Sequence, residues 1–263
     1  MLDEITPLII TYNEAPNIRR TLDKLVWARA IVVIDSGSTD ETLAMLRNYP
    51  QVNVIHHPFA DFGSQCNFGL TQIASAWALS LDADYELGDE LVAELKSLTP
   101  ADHVGGYRAH FVYRIEGRSL RGTLYPPRTV LYRTAKAIYR NEGHGHRVAI
   151  DGDVLALKGA IYHDDRKLLA RWFASQQRYA REEAQYLLET PTAMLTATDR
   201  IRRMGWPAPI GAFLYVLLFK GCVFDGWPGW YYALQRLVAE TLIALEIIDR
   251  RLRGKRPQAQ RQD

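Results

Sequence analysis

Three short apolar runs, each stopping at a polar turn that carries a carboxylate, constrain this chain more than any other feature. Residues 7–12 run into Asn13-Glu14-Ala15-Pro16. Residues 30–34 are β-branched and unbroken, and stop at Asp35-Ser36-Gly37-Ser38-Thr39-Asp40-Glu41. Residues 77–81 stop at Asp82-Ala83-Asp84. An apolar run without alternation is the pattern of a strand buried on both faces, as in parallel sheets. Helical spacing fills the gaps: Ile18, Leu22, Leu25 and Val26 after the first run, a helix around 67–76, and Leu91, Val92, Leu95 and Leu98 after the third. Ser38 and Glu41 have capping-box spacing for the helix after the second run, and residues 52–55 read as a further strand. Strand and helix alternating at these lengths predict an α/β fold with a Rossmann-like, mostly parallel central sheet and right-handed crossovers.

The 263 residues, 48% of them hydrophobic, suffice for one or two domains with a real core. A net charge of +2 argues against nucleic acid as a partner, and two cysteines cannot build a disulfide framework. The acidic start Met1-Leu2-Asp3-Glu4 lacks the cationic-then-apolar pattern of a secretory leader. Charge is uneven, −3 over the first 198 residues and +5 from Asp199 onward. We therefore expect two regions, 1–165 and a helical 166–263.

In open parallel sheets ligands bind beyond the carboxyl ends of strands, which directs attention to loops 11–14, 35–40 and 82–84. The first turn is not glycine-rich, which disfavours a dinucleotide binder, and no GxxxxGK[ST] is present. The two acidic side chains of Asp82-Ala83-Asp84 suit a hard divalent cation that neutralises a diphosphate; the competing reading is a solvated turn of helix-capping acids. Asp35 either accepts from a base or ribose hydroxyl or caps a turn. A second acidic triplet, Asp151-Gly152-Asp153, reads as a hairpin turn between strands 148–150 and 154–157.

Leu8-Ile9-Ile10-Thr11-Tyr12-Asn13-Glu14, Val32-Val33-Ile34-Asp35-Ser36-Gly37-Ser38-Thr39-Asp40-Glu41-Thr42 and Trp77-Ala78-Leu79-Ser80-Leu81-Asp82-Ala83-Asp84, in that order, resemble glycosyltransferase family 2, most closely the bacterial lipopolysaccharide core β-glucosyltransferase type. The resemblance implies a GT-A fold, a UDP-sugar or similar nucleotide-diphosphate donor, Mg or Mn as cofactor, and inversion at the anomeric carbon. Carried over, Thr11, Tyr12 and Glu14 line the base and ribose pocket, Asp35 contacts the uracil, and Asn13, Ser36, Gly37, Gln65, Asn67 and Ala83 complete the nucleotide-sugar site. Asp82 contacts ribose and metal, and Asp84 is the principal metal ligand. Where relatives often carry Lys or Arg before the Asn, this chain has Cys66.

The reaction needs a base for the acceptor hydroxyl. Glu142, glycine-flanked in Arg140-Asn141-Glu142-Gly143-His144-Gly145-His146-Arg147, is the candidate, with a surface acid as the alternative. His144, His146 and His163 lack the paired spacing of a zinc site; His163, at the end of strand 160–162, is expected at the metal or diphosphate, and His56 and His57 on the surface. The Arg-rich stretch 113–133 reads as a flexible basic loop. Downstream, an apolar-faced helix spans 167–189, and residues 210–224 are apolar but short of the ~20 needed to span a bilayer. Trp206, Trp227, Trp230, Tyr231 and Tyr232, near Arg200, Arg202 and Arg203, favour a helical membrane-associating extension, with Arg250, Arg251, Arg253, Lys255 and Arg256 adding attraction to anionic lipid. The expected partners are a nucleotide-sugar donor and a glycolipid or lipid-linked acceptor at the cytoplasmic face of the inner membrane. The rival readings are a polyprenyl-phosphate sugar transferase and a non-catalytic nucleotide-sugar-binding membrane partner.

Overall fold

The computed structural model describes residues 1–142 and 145–254; the side chains at 141, 142, 145 and 146 lie outside that description. The described chain forms two compact units, Met1–Ser119 with Thr123–Lys167, and Leu120–Gly122 with Leu168–Asp263.

The first unit is built on the apolar runs. β1 (Ile5–Thr11), β2 (Ile31–Asp35), β3 (Val52–His56) and β4 (Trp77–Asp82) are mutually parallel in the order β3-β2-β1-β4. All five residues of β2 are buried. Alternate residues feed two cores: Ile5, Ile9, Ile31 and Val33 pack on one face with Ile18 and Leu22, whereas Leu8, Val32 and Ile34 pack on the other with Cys66 and Leu70. The covering helices are α1 (Ile18–Asp23), α2 (Thr42–Leu46), α3 (Phe62–Thr71) and α4 (Asp89–Ser97). Because the chain moves outward from β1 in both directions, β1 is the switch point of the sheet, and its carboxyl end opens a crevice.

Beyond β4 the sheet is mixed. β5 (Tyr85–Leu87), β6 (Val104–Ile115), β7 (Arg118–Ser119), β8 (Arg128–Arg133) and β11 (Asp153–His163) continue it in the order β4-β8-β6-β11-β5, with β7 on β6. β9 (Ala137–Glu142) and β10 (Gly145–Ile150) form a separate antiparallel ribbon. This corrects the hairpin expected at Asp151-Gly152-Asp153: β10 pairs with β9, while β11 pairs with β6 and β5. The turn passes the chain from one sheet to another, and Gly152 allows it with φ +114, packed against the His103 carbonyl. Nor is 113–133 a free basic loop. It contributes to three strands, with Arg114 over the Tyr162 ring, Arg128 over Tyr125 and Arg133 over Trp77.

The second unit is helical: α5 (Leu169–Glu189), α6 (Ala197–Met204), α7 (Pro207–Leu214) and α8 (Trp227–Gly254). Ala180, Ala184 and Leu187 of α5 pack against Ile243 and Ile247 of α8, the alanines allowing close approach. Thr196 and Asp199 form a reciprocal capping box that starts α6. Arg202 then reaches Glu183 at 2.5 Å and grips Glu240 with two bonds of 2.9 and 3.0 Å. Among the described residues no helix is long and apolar enough to cross a membrane. Residues 210–224 instead break into α7, a π-helical turn (Tyr215–Phe219) and a short 3-10 turn (Cys222–Asp225), with Gly221 and Gly226 in positive φ at the bends.

Candidate functional site

The three carboxylate-bearing turns lie together at the carboxyl ends of β1, β2 and β4, and the first two are tied to each other. Asn13 adopts φ 55, a left-handed conformation that asparagine tolerates better than most residues. From there its N–H donates to Ser38 Oγ at 2.8 Å, and its side-chain oxygen accepts from the Thr39 and Asp40 amides at 2.7 and 3.3 Å. Asp35 accepts from the Gly37 and Ser38 amides and, at 2.5 Å, from the Ser38 hydroxyl. Ser38 therefore serves this loop and does not cap α2, as its spacing had suggested, and the Glu14 amide donates to Thr42 Oγ1 instead. Gly37, at φ +94, completes a turn that a side chain would strain. Gln65, buried on α3, donates to Ser36 Oγ and to the His57 carbonyl, while its own oxygen meets His57 Nδ1 at 2.8 Å. His57 is thus an internal partner, stacked on Phe68, whereas His56 is exposed. Thr11 Oγ1 is buried without a hydrogen-bond partner, and Tyr12 stands half-exposed at the rim.

Two residues of α3 are committed to structure. Asn67 clamps β9 by donating to the Tyr139 carbonyl at 3.0 Å and accepting from its amide at 2.8 Å. Cys66 lies in the core, where burial pushes its thiol pKa up, so it remains neutral and supplies no charge to an anion.

Asp82 ends β4, and its carboxylate accepts no hydrogen bond among the described residues. Two residues on, Asp84 is buried at 8% exposure and faces His163, with Oδ2 and Nε2 3.1 Å apart. The turn between them is held by Thr21, whose hydroxyl donates to the Ala83 carbonyl at 2.7 Å. Burial alone would raise the Asp84 carboxyl, but the charge and hydrogen bond of His163, then Lys167, bring it down to about 2. Burial opposes protonation of His163, yet Asp84 more than offsets it and its pKa rises. Tyr85, Tyr113 and Tyr125 enclose the imidazole edge-on, 4.7–5.2 Å between ring centroids.

This corner leaves two polar atoms buried without partners, Asp84 Oδ1 and His163 Nδ1. Carboxylate oxygens suit a hard divalent cation, and an unsatisfied buried one at a cleft is a vacant acceptor. No group of three His, Cys, Asp or Glu side chains among the described residues already stands in metal-holding array, and His163 Nε2 faces Asp84. The donor set fits a cation held chiefly by carboxylates.

Sequence reasoning missed the ionic network beside this corner. Lys167 bonds Glu14 at 2.7 Å and lies 3.5 Å from Asp165. Asn17 donates to both Glu14 and Asp165, and Arg20 bonds Glu86, Asp164 and Asn17. Asp164, fully buried, also accepts from the Gly117 amide and Arg166. Burial raises Glu14 above its ordinary value against the pull of Lys167, and Lys167 is raised by the surrounding carboxylates despite burial. The signal was present: Asp164-Asp165-Arg166-Lys167 is a charge run immediately after a strand.

β9 and β10 place Glu142 opposite Gly145 at the end of their ribbon. The Glu142 and His146 side chains, His144, and Lys255 and Arg256 of the tail lie outside the described residues.

Comparison with known proteins bears on the family and the fold. The model of the family described as Glycosyl transferase family 2 matches residues 7–164, spanning all three turns and the Asp84–His163 pair. The lipopolysaccharide core biosynthesis glycosyltransferase LpsC of Rhizobium meliloti (strain 1021) is 26% identical over 96% of this chain and 95% of its own. An uncharacterized glycosyltransferase of Rickettsia bellii (strain RML369-C) is 27% identical over 75% of this chain and 73% of its own. Among solved structures, the mannosyltransferase PcManGT from Pyrobaculum calidifontis, in complex with GDP-Man and Mn2+, shares the fold. Its TM-score is 0.54 at 15% identity, covering 92% of this chain and 87% of that one. The first unit thus has a GT-A-like α/β fold.

Proposed function

The chain belongs to glycosyltransferase family 2 and is a glycosyltransferase, and on that premise we propose that it transfers a sugar, with inversion, from a UDP-sugar to a lipid-linked or lipopolysaccharide-type glycan. The observation that carries the reading is the delivery of Asp82 and Asp84 to the switch point of the sheet, with Asp84 Oδ1 buried and vacant. The named role of the Rhizobium meliloti relative in lipopolysaccharide core biosynthesis supports the acceptor class. The peripheral site of action we propose is the cytoplasmic face of the inner membrane, with the contact made by the helical unit.

In this reading the loops of Asn13 and Asp35, locked to each other, form a rigid wall for the nucleoside, and Thr11 Oγ1 is a free partner inside it. Asp84, with Asp82, would hold a divalent cation; when bound, that cation neutralises the charge developing on the departing diphosphate. His163 and Lys167 hold Asp84 in its ionised form, ready to accept a cation. The acceptor hydroxyl attacks the anomeric carbon and its proton passes to Glu142. The bond from that carbon to the diphosphate oxygen breaks, with its electron pair leaving on the diphosphate.

The test is UDP release from a panel of UDP-sugars with lipid-extracted acceptor, with and without manganese. Glu142→Gln should lower transfer by about 10²–10⁴-fold with donor affinity kept. Full transfer by that variant would point to a phosphate acceptor, which needs no base.

A further inference from the structure

The helical unit exposes a set of large apolar side chains that its own core does not use. Trp206, Ile210, Leu214 and Leu218 recur every fourth residue along α7 and the π-helical turn, and all are exposed. At the bend, Phe219 is 81% and Phe224 72% exposed. The chain returns in α8 with Trp227, Trp230, Tyr231 and Leu234 also exposed, at spacings of three and four. An apolar surface of this size is rarely left facing water, and Trp and Tyr beside aliphatic residues are the side chains of the bilayer interface.

Charge selects the occupant. Between residues 206 and 234 the sequence holds one cation, Lys220, and one acid, Asp225. That acid is neutralised in place: Arg121 donates to it from its backbone amide at 2.9 Å and from Nε at 3.2 Å. Lys220 follows Phe219 directly at the bend. Some features the sequence pointed to drop out. Tyr232 is buried, Arg202 is consumed by Glu183 and Glu240, and Arg250 and Arg251 donate to the backbone carbonyls of Arg181 and Arg203.

We propose that the bend between α7 and α8, residues 206–234, docks in the headgroup region of an anionic bilayer, its aromatic side chains inserted and Lys220 at the lipid phosphates. The proposal narrows the membrane contact put forward above and rests on it. The surface lies along the interface and does not cross it, since no described helix is long and apolar enough to span a bilayer.

The experiment is sedimentation of the full chain with phosphatidylglycerol-containing vesicles and with pure phosphatidylcholine vesicles, alongside tryptophan emission. The wild type should bind the anionic vesicles with a blue shift. A Trp206→Ser, Phe219→Ser, Phe224→Ser variant, altering only exposed side chains, should bind more than about tenfold more weakly. An Arg250→Gln, Arg251→Gln, Arg253→Gln variant should bind like wild type. If the wild type binds and the triple serine variant binds equally well, the surface is wrong while the membrane contact stands. If the wild type binds neither vesicle, both fail. A vesicle-free dimer that the serine substitutions dissociate, without vesicle binding, would assign the surface to a second copy and overturn the proposal.

Discussion

Asp84, in the turn between β4 and β5, and His163, the last residue of β11, share a contact of 3.1 Å inside a ring of three tyrosines. The pairing register that sets His163 opposite Tyr85 puts Asp84, one residue earlier, within reach of the imidazole. Each group favours the charged form of the other against burial. The site therefore keeps an ionised carboxylate in a place where burial would otherwise protonate it.

That coupling fixes the pH dependence of the chelator-treated protein. Asp84, lowered from 3.8 to about 2, contributes stability that is full above pH 3.8 and fades as pH falls toward 2. His163, raised above 6.5, contributes stability that is full below pH 6.5 and is lost as pH rises through its folded value. Urea midpoints across pH should therefore fall on both sides of the window from about 4 to 6.5. His163→Gln should remove its share of the alkaline fall and begin the acid fall at higher pH. Unchanged limbs in the variant would show that the pair is uncoupled.

Asp35 is predicted to matter for the wall of the nucleoside pocket before it matters for any ligand. Its carboxylate holds two amides and a hydroxyl of its own loop. Asp35→Ala should cost about 2 kcal/mol of stability and weaken UDP binding. Chemical denaturation and calorimetry check both, and an unaltered denaturation midpoint would leave Asp35 a purely ligand-facing role.

Much of this site was legible in the residues because it is local. Unbroken apolar runs ending in Asn13, Asp35 and Asp82 identify strands and their carboxyl ends without tertiary information. The network of Asn17, Arg20, Asp164 and Lys167 was not legible, because Asn17 meets Asp165 across 148 residues and no periodicity encodes that. β6 was missed as well, but not for that reason. Yet Tyr107-Arg108-Ala109-His110-Phe111 alternates buried and exposed residues, the pattern of a half-buried strand, so here the signal was present and passed over. The Asp151 turn was misread because a hairpin and a change of sheet look alike in sequence.

The helical unit depends on one cation. Arg202 stands between Glu183 and Glu240, both largely buried. Arg202→Leu should destabilise the protein by about 3–5 kcal/mol, because two carboxylates lose their counter-charge. Adding Glu183→Gln and Glu240→Gln should recover much of that loss. Thermal unfolding of the three proteins decides it, and a triple variant no better than Arg202→Leu would mean that packing by the arginine stem is what counts.

The central claim is that Asp84 and Asp82 hold a divalent cation against a diphosphate. Calorimetric titration of UDP into wild type and Asp84→Asn, each with manganese and with chelator, tests it most directly. Wild type should bind UDP more than about tenfold tighter with manganese, and Asp84→Asn should lose that increment while keeping its metal-free affinity. An Asp84→Asn protein that retains the full manganese increment would contradict the account.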